Sequence, residues 1–339
     1  NGGCYMVKIL KNIKVPTGNI LVIEGDKGKL ECLSLGDYGK DVNLKADYMG
    51  LTREIHKVEH TKLLPLSEKW VITISTQYGC SMGCRFCDVP KVGKGLNVTY
   101  SDLKNQIIAG LSLHPEVTST KRLNIHYARM GEPTWNYNVI EFTKNMRKEL
   151  YPYINRSLIH PVVSTMMPKN NIMLDDFINS WLEIKNYDFR GDAGLQLSIN
   201  STNEEERIEM FNGNALSLDK MSEMAKYWDK PKGRKYTLNF AVAEYEINAE
   251  KIRDLFDPDK FIIKLTPMHK TSTAVKNGIE TKGDYTTYYP YRDIEEKLKK
   301  VGFDVLVFIA SEYEDLGRIT CGNAILSGTL PECPYEEIK

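Results

Sequence analysis

Strand-like and helix-like segments alternate along the chain from Val71 to Ile309. Seven runs rich in β-branched and aromatic residues are each followed, except for the last, by a segment with the apolar spacing of an amphipathic helix. The predicted strands are Val71–Gln77, Arg122–Arg129, His160–Met166, Leu195–Asn200, Tyr236–Ala243, Phe261–Thr266 and Phe303–Ile309, and the predicted helices are Ser101–Leu113, Tyr137–Leu150, Ile172–Ile184, Leu218–Trp228, Ala249–Phe256 and Tyr291–Val301. Helical crossovers of this length join parallel strands. The pattern therefore predicts an α/β fold whose parallel sheet is either open or curved into a full or partial barrel.

The residues before Val71 predict a separate, β-rich start of the chain. Two β-like runs, Ile20–Glu24 and Lys29–Leu35, are joined by Gly25-Asp26-Lys27-Gly28, which is a strong hairpin signal. A polar stretch follows, with a short helix expected over Leu51–Glu59. We expect a small β-hairpin-rich region over residues 1–70, a partial (βα) barrel over residues 71–310 and a C-terminal tail over residues 311–339.

The balance of charges argues against a general attraction to polyanions. The chain of 339 residues has 45 Lys plus Arg against 45 Asp plus Glu, so any contact with nucleic acid must come from a local patch. Candidate contacts are Lys230, Lys232, Arg234 and Lys235 in one basic stretch, and Lys270, Lys276, Lys282, Tyr285, Tyr288, Tyr289 and Tyr291 in or beside one long polar loop. Such charges usually form a solvated face, and the tyrosines either stack on a base or anchor the loop.

No segment of the sequence has the length and apolar character of a membrane span. The longest apolar runs, such as Asp304–Ala310, fall far short of the roughly 18 to 20 residues that are needed. The start lacks the basic and apolar regions of a secretory leader, and Asn1-Gly2-Gly3 looks like a processing scar. We expect a cytoplasmic protein with no membrane partner.

Three of the seven cysteines are closely spaced. Cys80, Cys84 and Cys87 follow the first strand of the alternating pattern, and the scattered ones are Cys4, Cys32, Cys321 and Cys333. This distribution suits metal binding better than a disulfide framework. Three thiolates on one loop match a [4Fe-4S] cluster that keeps one iron open for another ligand. Zinc is the competing interpretation, with a zinc-bearing binding module as the non-enzymatic alternative, but structural zinc needs four ligands and the histidines of the sequence lie far from this loop.

Unusual polar residues also follow the other strands. Met130-Gly131-Glu132-Pro133 follows the second strand, Ser164-Thr165 ends the third, Ser198-Ile199-Asn200 ends the fourth and His269 follows the sixth. In parallel βα folds the chemistry gathers at the carboxyl ends of the strands. We therefore expect these residues and the cysteine cluster to share one rim of the sheet.

The cysteine cluster, with Phe86 before its last member, resembles the CxxxCxΦC signature of the radical S-adenosylmethionine (SAM) superfamily. From about Glu31 to Gly328 the chain further resembles the RlmN/Cfr-type RNA adenine methyltransferases. The motifs that carry this resemblance, in the order of that family, are Gln77-Tyr78-Gly79-Cys80, Met130-Gly131-Glu132-Pro133, Ser164-Thr165, Leu197-Ser198-Ile199-Asn200, Leu265-Thr266-Pro267 and Thr320-Cys321-Gly322-Asn323.

The resemblance implies a role for each matching residue. It implies that Cys80, Cys84 and Cys87 hold a [4Fe-4S] cluster, and that Gly131, Glu132, Ser164, Ser198, Asn200 and His269 lie at the SAM site. It further implies that Cys321 is methylated by one SAM molecule and passes the methyl group to an sp² carbon of adenine in RNA, with Glu31 as proton acceptor. An external electron donor, such as flavodoxin or ferredoxin, would supply the reducing electron. Asn200 and His269 stand where the family usually has His and Asn, which suggests a reshaped pocket.

Each of these residues also has an ordinary structural interpretation. Glu132 could be a solvated loop residue, and Ser164 and Ser198 could be local backbone caps. His269 could be a satisfied loop histidine, and Cys321 a small buried hydrophobe. Glu31 could be an exposed residue of the hairpin.

Two departures from the family bear on the substrate. Thr73 occupies the position of the family's second catalytic cysteine, seven residues before Cys80, and a threonine cannot form the disulfide that releases the product. Either Cys4, Cys32 or Cys333 takes its place in space, or the protein makes a different product. The helical region that RNA-acting members carry before the hairpin is also not seen in this sequence. A small molecule or a peptide is therefore the alternative substrate.

Overall fold

The computed structural model describes residues 7–37, 44–45, 63–279, 291–308 and 312–339. Its strands are β1 Ile9–Val15, β2 Gly18–Gly25, β3 Gly28–Leu35, β4 Leu44–Lys45, β5 Trp70–Ile74, β6 Gln77–Gly79, β7 Lys94–Asn97, β8 Leu123–Tyr127, β9 Ile159–Thr165, β10 Gly194–Ser198, β11 Tyr236–Val242, β12 Phe261–Pro267, β13 Val305–Phe308 and β14 Glu336–Ile338. Its helices are α1 Tyr100–Ser112, α2 Asn138–Leu150, α3 Leu174–Glu183, α4 Glu204–Met210, α5 Leu218–Lys226, α6 Ala249–Leu255, α7 Ser272–Lys276, α8 Arg292–Lys300 and α9 Glu312–Leu316.

One sheet contains all of these strands except the small β6–β7 hairpin, in the order β14-β1-β2-β3-β5-β8-β9-β10-β11-β12-β13-β4. From β5 to β13 the neighbours pair in parallel and follow one another in chain order. Each strand predicted from the alternating pattern is present with slightly different ends, so the α/β class and the parallel sheet are confirmed.

The first predicted strand is shorter than expected. β5 ends at Ile74, and Gln77 already belongs to β6, which pairs with β7 in a separate hairpin. The backbone leaves the main sheet because the amide of Ser75 bonds to the side chain of Gln106 at 2.7 Å, while the amide of Thr76 bonds to the carbonyl of Met130 at 2.8 Å. This turn directs the cysteine loop away from the sheet.

Helix α4 was not predicted from the sequence. It begins after Asn203, whose side chain accepts hydrogen bonds from the amides of Glu205 and Glu206. An asparagine followed by three glutamates is a typical helix start, because the cap satisfies free amides and the acids favour the positive end of the helix dipole. The segment has only two apolar residues, Ile208 and Met210, so the apolar spacing of an amphipathic helix could not be recognised.

The N-terminal strands form an antiparallel extension of the main sheet. The hairpin predicted between Ile20 and Leu35 is present as β2 and β3, and β3 pairs antiparallel with β5. Its two faces are covered differently: Leu30 and Cys32 face the side of α1, whereas Leu33 packs with Ile319 and Ile325 of the C-terminal tail. The helix expected over Leu51–Glu59 lies outside the described residues.

No helix in the described part of the chain is long and apolar enough to cross a membrane.

Asp102, at the start of α1, joins the hairpin, the β6 strand and the helix. Its carboxylate accepts hydrogen bonds from the amide of Asp26 at 3.0 Å, from the hydroxyl of Tyr78 at 2.7 Å and from the amide of Thr99 at 3.3 Å. The hydroxyl of Thr99 accepts in return from the amide of Asp102, which completes a capping box. The residue is almost completely buried.

We expect Asp102→Ala to lower the free energy of unfolding by about 2 kcal/mol, because it removes one half of the capping box and leaves the half-buried hydroxyl of Tyr78 and amide of Thr99 without their acceptor. Urea denaturation would measure the change. Asp175→Ala is the matched control, since Asp175 lies in the first turn of α3 but is exposed, and it should cost no more than about 0.5 kcal/mol. Equal effects of the two substitutions would contradict the assigned role of Asp102.

Candidate functional site

The cysteine loop runs from Cys80, just after β6, to Cys87, just before a short turn that leads to β7. Cys80 and Cys84 are buried and Cys87 is half-buried. The sheet alone does not fix this loop, because β6 is only three residues long.

Three distant segments hold the loop in place. The amide of Arg85 bonds to the carbonyl of Met210 at the end of α4, and the carbonyl of Arg85 accepts from the side chain of Asn277, after α7, at 2.7 Å. The amide of Asp88 bonds to the carbonyl of Gly322 in the C-terminal tail at 2.8 Å. The loop is therefore held by segments that follow β10 and β12 and by the C-terminal tail.

The three cysteine thiols strongly resist ionisation in the protein alone. Burial raises the pKa of Cys80 to about 12, and it raises the pKa values of Cys84 and Cys87 well above the usual range. The electrostatic effect of neighbouring cysteines raises these values further. Bound metal cations stabilise thiolates and so would reverse this preference.

Three thiols on one loop are a donor set that fits an iron–sulfur cluster. A [4Fe-4S] cluster binds each thiolate through a different iron. A structural zinc ion needs four ligands. Among the described residues, no group of three or more His, Cys, Asp or Glu side chains is placed to hold one metal ion.

Glu132, from the second predicted motif, is completely buried at the ends of β8 and β9. Its Oε1 accepts hydrogen bonds from both the amide and hydroxyl of Thr134 and from the hydroxyl of Thr165 at 2.6 Å, and its Oε2 accepts one from the amide of Met166 at 3.0 Å. Burial raises the pKa of Glu132, while these hydrogen bonds oppose that rise. The alternative of a solvated loop glutamate is therefore wrong.

Gly131 lets this motif approach the start of the cysteine loop. The residue has a φ of +98°, and a Cβ atom there would lie 2.6 Å from the Cβ of Gln77. Gln77 in turn accepts a hydrogen bond from the amide of Glu132 at 3.0 Å and donates to Asn97 of β7. The glycine therefore couples the Glu132 loop to the cysteine loop.

One cavity brings together five of the residues predicted for the site. Its walls come from five successive parallel strands, β8 to β12, with one residue from the cysteine loop and one from the C-terminal tail. The predicted residues that line it are Ser164, Ser198, Asn200, His269 and Cys321, and they are joined by Phe86, His126, Ala128, Met166, Gln196, Asn239, Ala241, Lys264, Thr266 and Met268.

Asn200 and His269 are both fixed by the protein itself. Asn200 has a φ of +60°, in the left-handed region that asparagine tolerates better than most residues, and its side chain accepts from the amide of Ala241 at 2.9 Å. His269 Nδ1 lies 3.0 Å from a carboxylate oxygen of Asp315, in α9. Both residues therefore shape the cavity while they link its wall to neighbouring segments.

The sequence analysis missed four polar residues of the cavity wall: His126, Gln196, Asn239 and Lys264. They lie within strands, where an alternating polar residue is normally assigned to the solvent side. In the structure these four side chains line the cavity instead. Burial lowers the pKa of His126 to about 3 and that of Lys264 to about 8, so the histidine is neutral at physiological pH.

Cys321 lies in the C-terminal tail beside the cysteine loop. The neighbouring carbonyl of Gly322 accepts from the amide of Asp88 at 2.8 Å and lies 3.7 Å from the sulfur of Cys87. Cys321 itself is exposed to the cavity rather than packed in a core, so the interpretation as a buried small hydrophobe is wrong. The surrounding cavity wall limits the hydration of the sulfur and so raises the pKa of this thiol, while the positive charges of Arg129 and Lys264 lower it.

Glu31 is completely buried, so the alternative of an exposed hairpin residue is wrong. Its carboxylate pairs with Arg129 and accepts from the amides of Ile325 and Leu326 at 3.1 and 3.0 Å. Glu31 does not line the cavity that contains Cys321. Its role as a proton acceptor stays a prediction.

Two of the three cysteines that could replace the missing one at Thr73, Cys32 and Cys333, do not line the cavity. Cys32 is completely buried on β3, where its sulfur lies 3.6 Å from the carbonyl of Gln106. Cys333 is buried in the cluster between the tail and the N-terminal strands. Cys4 lies outside the described residues.

The predicted basic stretch lies away from the cavity, at the amino end of β11. Lys235 bonds to Asp304 at 2.9 Å, Arg234 contacts His160, and Lys232 lies 4.1 Å from the ring centre of Tyr187. In the polar loop, Lys282, Tyr285, Tyr288 and Tyr289 lie outside the described residues. Tyr291 is buried, as expected of a residue that anchors the loop.

No protein-family model matches the chain, but individual relatives do. The RlmN dual-specificity RNA methyltransferase of Sorangium cellulosum is 24% identical over 267 residues, which are 76% of this chain and 62% of that protein. The RlmN of Aliarcobacter butzleri is 36% identical over 88 residues, which are 26% of this chain and 24% of that protein. Among solved structures, a radical SAM methyltransferase from Sphaerobacter thermophilus matches with a TM-score of 0.64 at 17% identity and covers 94% of this chain and 81% of that one.

The similarity to RlmN-type methyltransferases that the motifs indicate is thus confirmed. The chain spans between about a quarter and about three fifths of the length of the curated relatives described above. The solved structure shows that the α/β fold is shared with a radical SAM methyltransferase.

We expect Gly131→Ala to lower the free energy of unfolding by about 3 to 4 kcal/mol, because it adds backbone strain and a clash with Gln77. Gly278→Ala is the matched control: Gly278 has a φ of +68° but no atom within 4 Å of an added Cβ. The control should show the backbone strain alone, about 1 kcal/mol. If chemical denaturation gives equal losses for both variants, close packing against Gln77 is not what requires the glycine.

Proposed function

We propose that this relative of the RlmN-type methyltransferases is a radical SAM methyltransferase that carries the transferred methyl group on Cys321. The observation that carries the proposal is the contact between the cysteine loop and the tail. The carbonyl of Gly322 bonds to the amide of Asp88 and lies near the sulfur of Cys87. The side chain of Cys321 lines the same cavity as Ser164 and Ser198. A metal-binding loop, a strand-end pocket and a thiol outside that loop thus meet in one place.

The proposed architecture is a parallel (βα) barrel that is only partly closed, preceded by the small β-rich region and followed by the tail. A cavity whose walls come from five successive strands supports inward curvature of the sheet. The antiparallel strands β3 and β4 flank the two ends of the parallel run, which supports an incomplete barrel.

Cys80, Cys84 and Cys87 would hold the [4Fe-4S] cluster, and SAM would occupy the adjacent strand-end pocket. When bound, the cluster and SAM would together supply a carbon radical that can remove an unactivated hydrogen atom, which no side chain can do. An external donor such as flavodoxin or ferredoxin would deliver the electron.

The residues of the chain would bind and orient SAM. Glu132 is buried beside the cavity residue Met166 and does not itself line the cavity in this structure. Its Oε2 accepts one hydrogen bond, so it retains capacity for an ammonium donor. Ser164 and Ser198 offer hydroxyl groups, and the fixed side chains of Asn200 and His269 define the width of the pocket. The thiolate of Cys321 would accept the methyl group of one SAM molecule, with S-adenosylhomocysteine as the leaving group. The resulting thioether sulfur would stabilise a radical on the adjacent carbon.

The favoured acceptor is an sp² carbon of adenine in RNA, and the relatives described above are named as RNA methyltransferases. A second candidate is a radical SAM enzyme of the same family that modifies a small molecule or a peptide. Thr73 favours this second candidate, because Cys32 and Cys333 lie outside the cavity and neither is placed to release a methylated product.

Replacing Cys84 by Ala should abolish reductive cleavage of SAM to 5'-deoxyadenosine and lower the iron content of anaerobically reconstituted protein, because one thiolate ligand is lost. Cys333→Ala is the matched control, since Cys333 is buried away from the loop, and it should retain iron and cleavage. Iron analysis, visible absorption and chromatography of the products would measure these effects. Persistent cleavage in the Cys84 variant would show that the cluster assignment is wrong.

Incubation of the cluster-loaded protein with methyl-labelled SAM should place the label on the peptide that contains Cys321, because this sulfur is the acceptor that faces the cavity. Peptide mass spectrometry would locate the methyl group. Addition of ribosomal or transfer RNA fragments should then move label to adenine. Transfer to a small metabolite or peptide but not to RNA would select the second candidate, and product formation by Cys321→Ala would overturn the methyl-carrying role.

A further inference from the structure

Arg129 follows β8 and reaches two carbonyl groups of the C-terminal tail. Its side chain is almost completely buried. The guanidinium donates to the carbonyl of Arg318 at 2.7 Å and to the carbonyl of Thr320 at 3.4 Å. Both carbonyls precede Cys321, so Arg129 fixes the backbone on the amino side of this cysteine.

Glu31 binds the same tail on the other side of Cys321. Its two carboxylate oxygens accept hydrogen bonds from the amides of Ile325 and Leu326. The guanidinium of Arg129 also pairs with Glu31, with Nε 2.9 Å from Oε1. Arg129 thus donates to carbonyl oxygens of the tail, Glu31 accepts from its amides, and the two side chains form an ion pair with each other.

Overall stability is a poor explanation for this arrangement. Neighbouring positions on the same face of β3, such as Leu33 and Leu35, are apolar and pack against Ile319 and Ile325 of the tail. A buried ion pair is often no more stabilising than apolar residues of the same volume. Its hydrogen bonds, however, fix the position of a backbone that apolar contacts alone would allow to shift.

We propose that Arg129 and Glu31 are positioning residues that together clamp the backbone on both sides of Cys321 and so hold its sulfur beside the cysteine loop. The role of this sulfur rests on the proposed function, but the clamp itself is a property of the fold. The pair acts through the tail, since Glu31 does not line the cavity. Whatever the substrate, weakening the clamp should make the backbone of residues 318–326 more mobile.

The decisive variant is Arg129→Lys in cluster-loaded protein. Lysine keeps the positive charge but cannot donate to Glu31 and both tail carbonyls in the fixed geometry of a guanidinium. We expect hydrogen exchange in the peptide with Ile325 and Leu326 to accelerate about tenfold or more, because charge-assisted hydrogen bonds are weakened. We also expect methylation of Cys321 to slow about tenfold while SAM cleavage changes by less than about twofold, since only the acceptor sulfur is displaced.

Two controls separate positioning from loss of the fold. Cys32 is completely buried on β3 and should remain unreactive towards N-ethylmaleimide as long as the protein is folded. Glu24→Gln removes the exposed Lys8–Glu24 ion pair from the same N-terminal sheet, and it should change neither exchange in the tail nor methylation of Cys321. The double variant Glu31→Leu with Arg129→Met removes both charges at once, so no unpaired buried ion is left, and it should reproduce the effects of Arg129→Lys.

Each outcome decides for or against the clamp. Faster exchange in the tail with selective loss of methylation supports it. Unchanged exchange overturns it, as does an equal loss of methylation and cleavage, or a reactive Cys32 in both the lysine and the double variants. If wild-type Cys321 accepts no methyl group, the proposed function fails, while the exchange and alkylation measurements still test the clamp.

Discussion

The buried ion pair between Glu31 and Arg129 lies where three parts of the chain meet. Glu31 belongs to the N-terminal strands, Arg129 follows the second strand of the parallel run, and both bind the tail that carries Cys321. Transfer of two charges from water costs several kcal/mol per ion unless nearly all their hydrogen-bonding capacity is used. The pair is therefore stable only when the tail is in place, which makes the position of Cys321 part of the fold itself.

The parallel sheet could be predicted because length and periodicity are local properties of the sequence. Strands such as Tyr236–Val242 and helices such as Asn138–Leu150 appear within a few residues of their expected ends. The burial of Glu31 could not be predicted in this way, because residues near the other end of the chain cover the hairpin. Lys264 and His126 were missed for a related reason: a polar residue in a strand predicts a solvent face, whereas here the cavity supplies that polar surface.

At the candidate site, the sequence predicted the type of a functional group but not the residues that hold it in position. The sequence indicated a carboxylate at Glu132, but not that Thr134, Thr165 and Met166 hold it from two strand ends. This network orients the carboxylate before any ligand binds, and preorganised groups lose less entropy on binding. Gln77 extends it to the cysteine loop through the amide of Glu132. A displacement of the cysteine loop would thus also move the carboxylate, so both proposed cofactor contacts belong to one rigid unit.

The position of the thiols limits what can follow methyl transfer. Release of a product from a thioether requires a group that takes a proton from the adduct and a second sulfur that attacks the first. Among the described residues, Cys321 is the one cysteine that lines the cavity. Cys32 lies in the core beside α1, and burial raises the pKa of its thiol far above the usual range, so it is a poor nucleophile. Thr73, on β5, has no thiol. Outside the cysteine loop, the described residues therefore offer no second thiol at the cavity that could attack the sulfur of Cys321. If Cys321 carries a methyl group as proposed, the following step needs Cys4, which lies outside the described residues, an external thiol, or a product that retains its bond to sulfur.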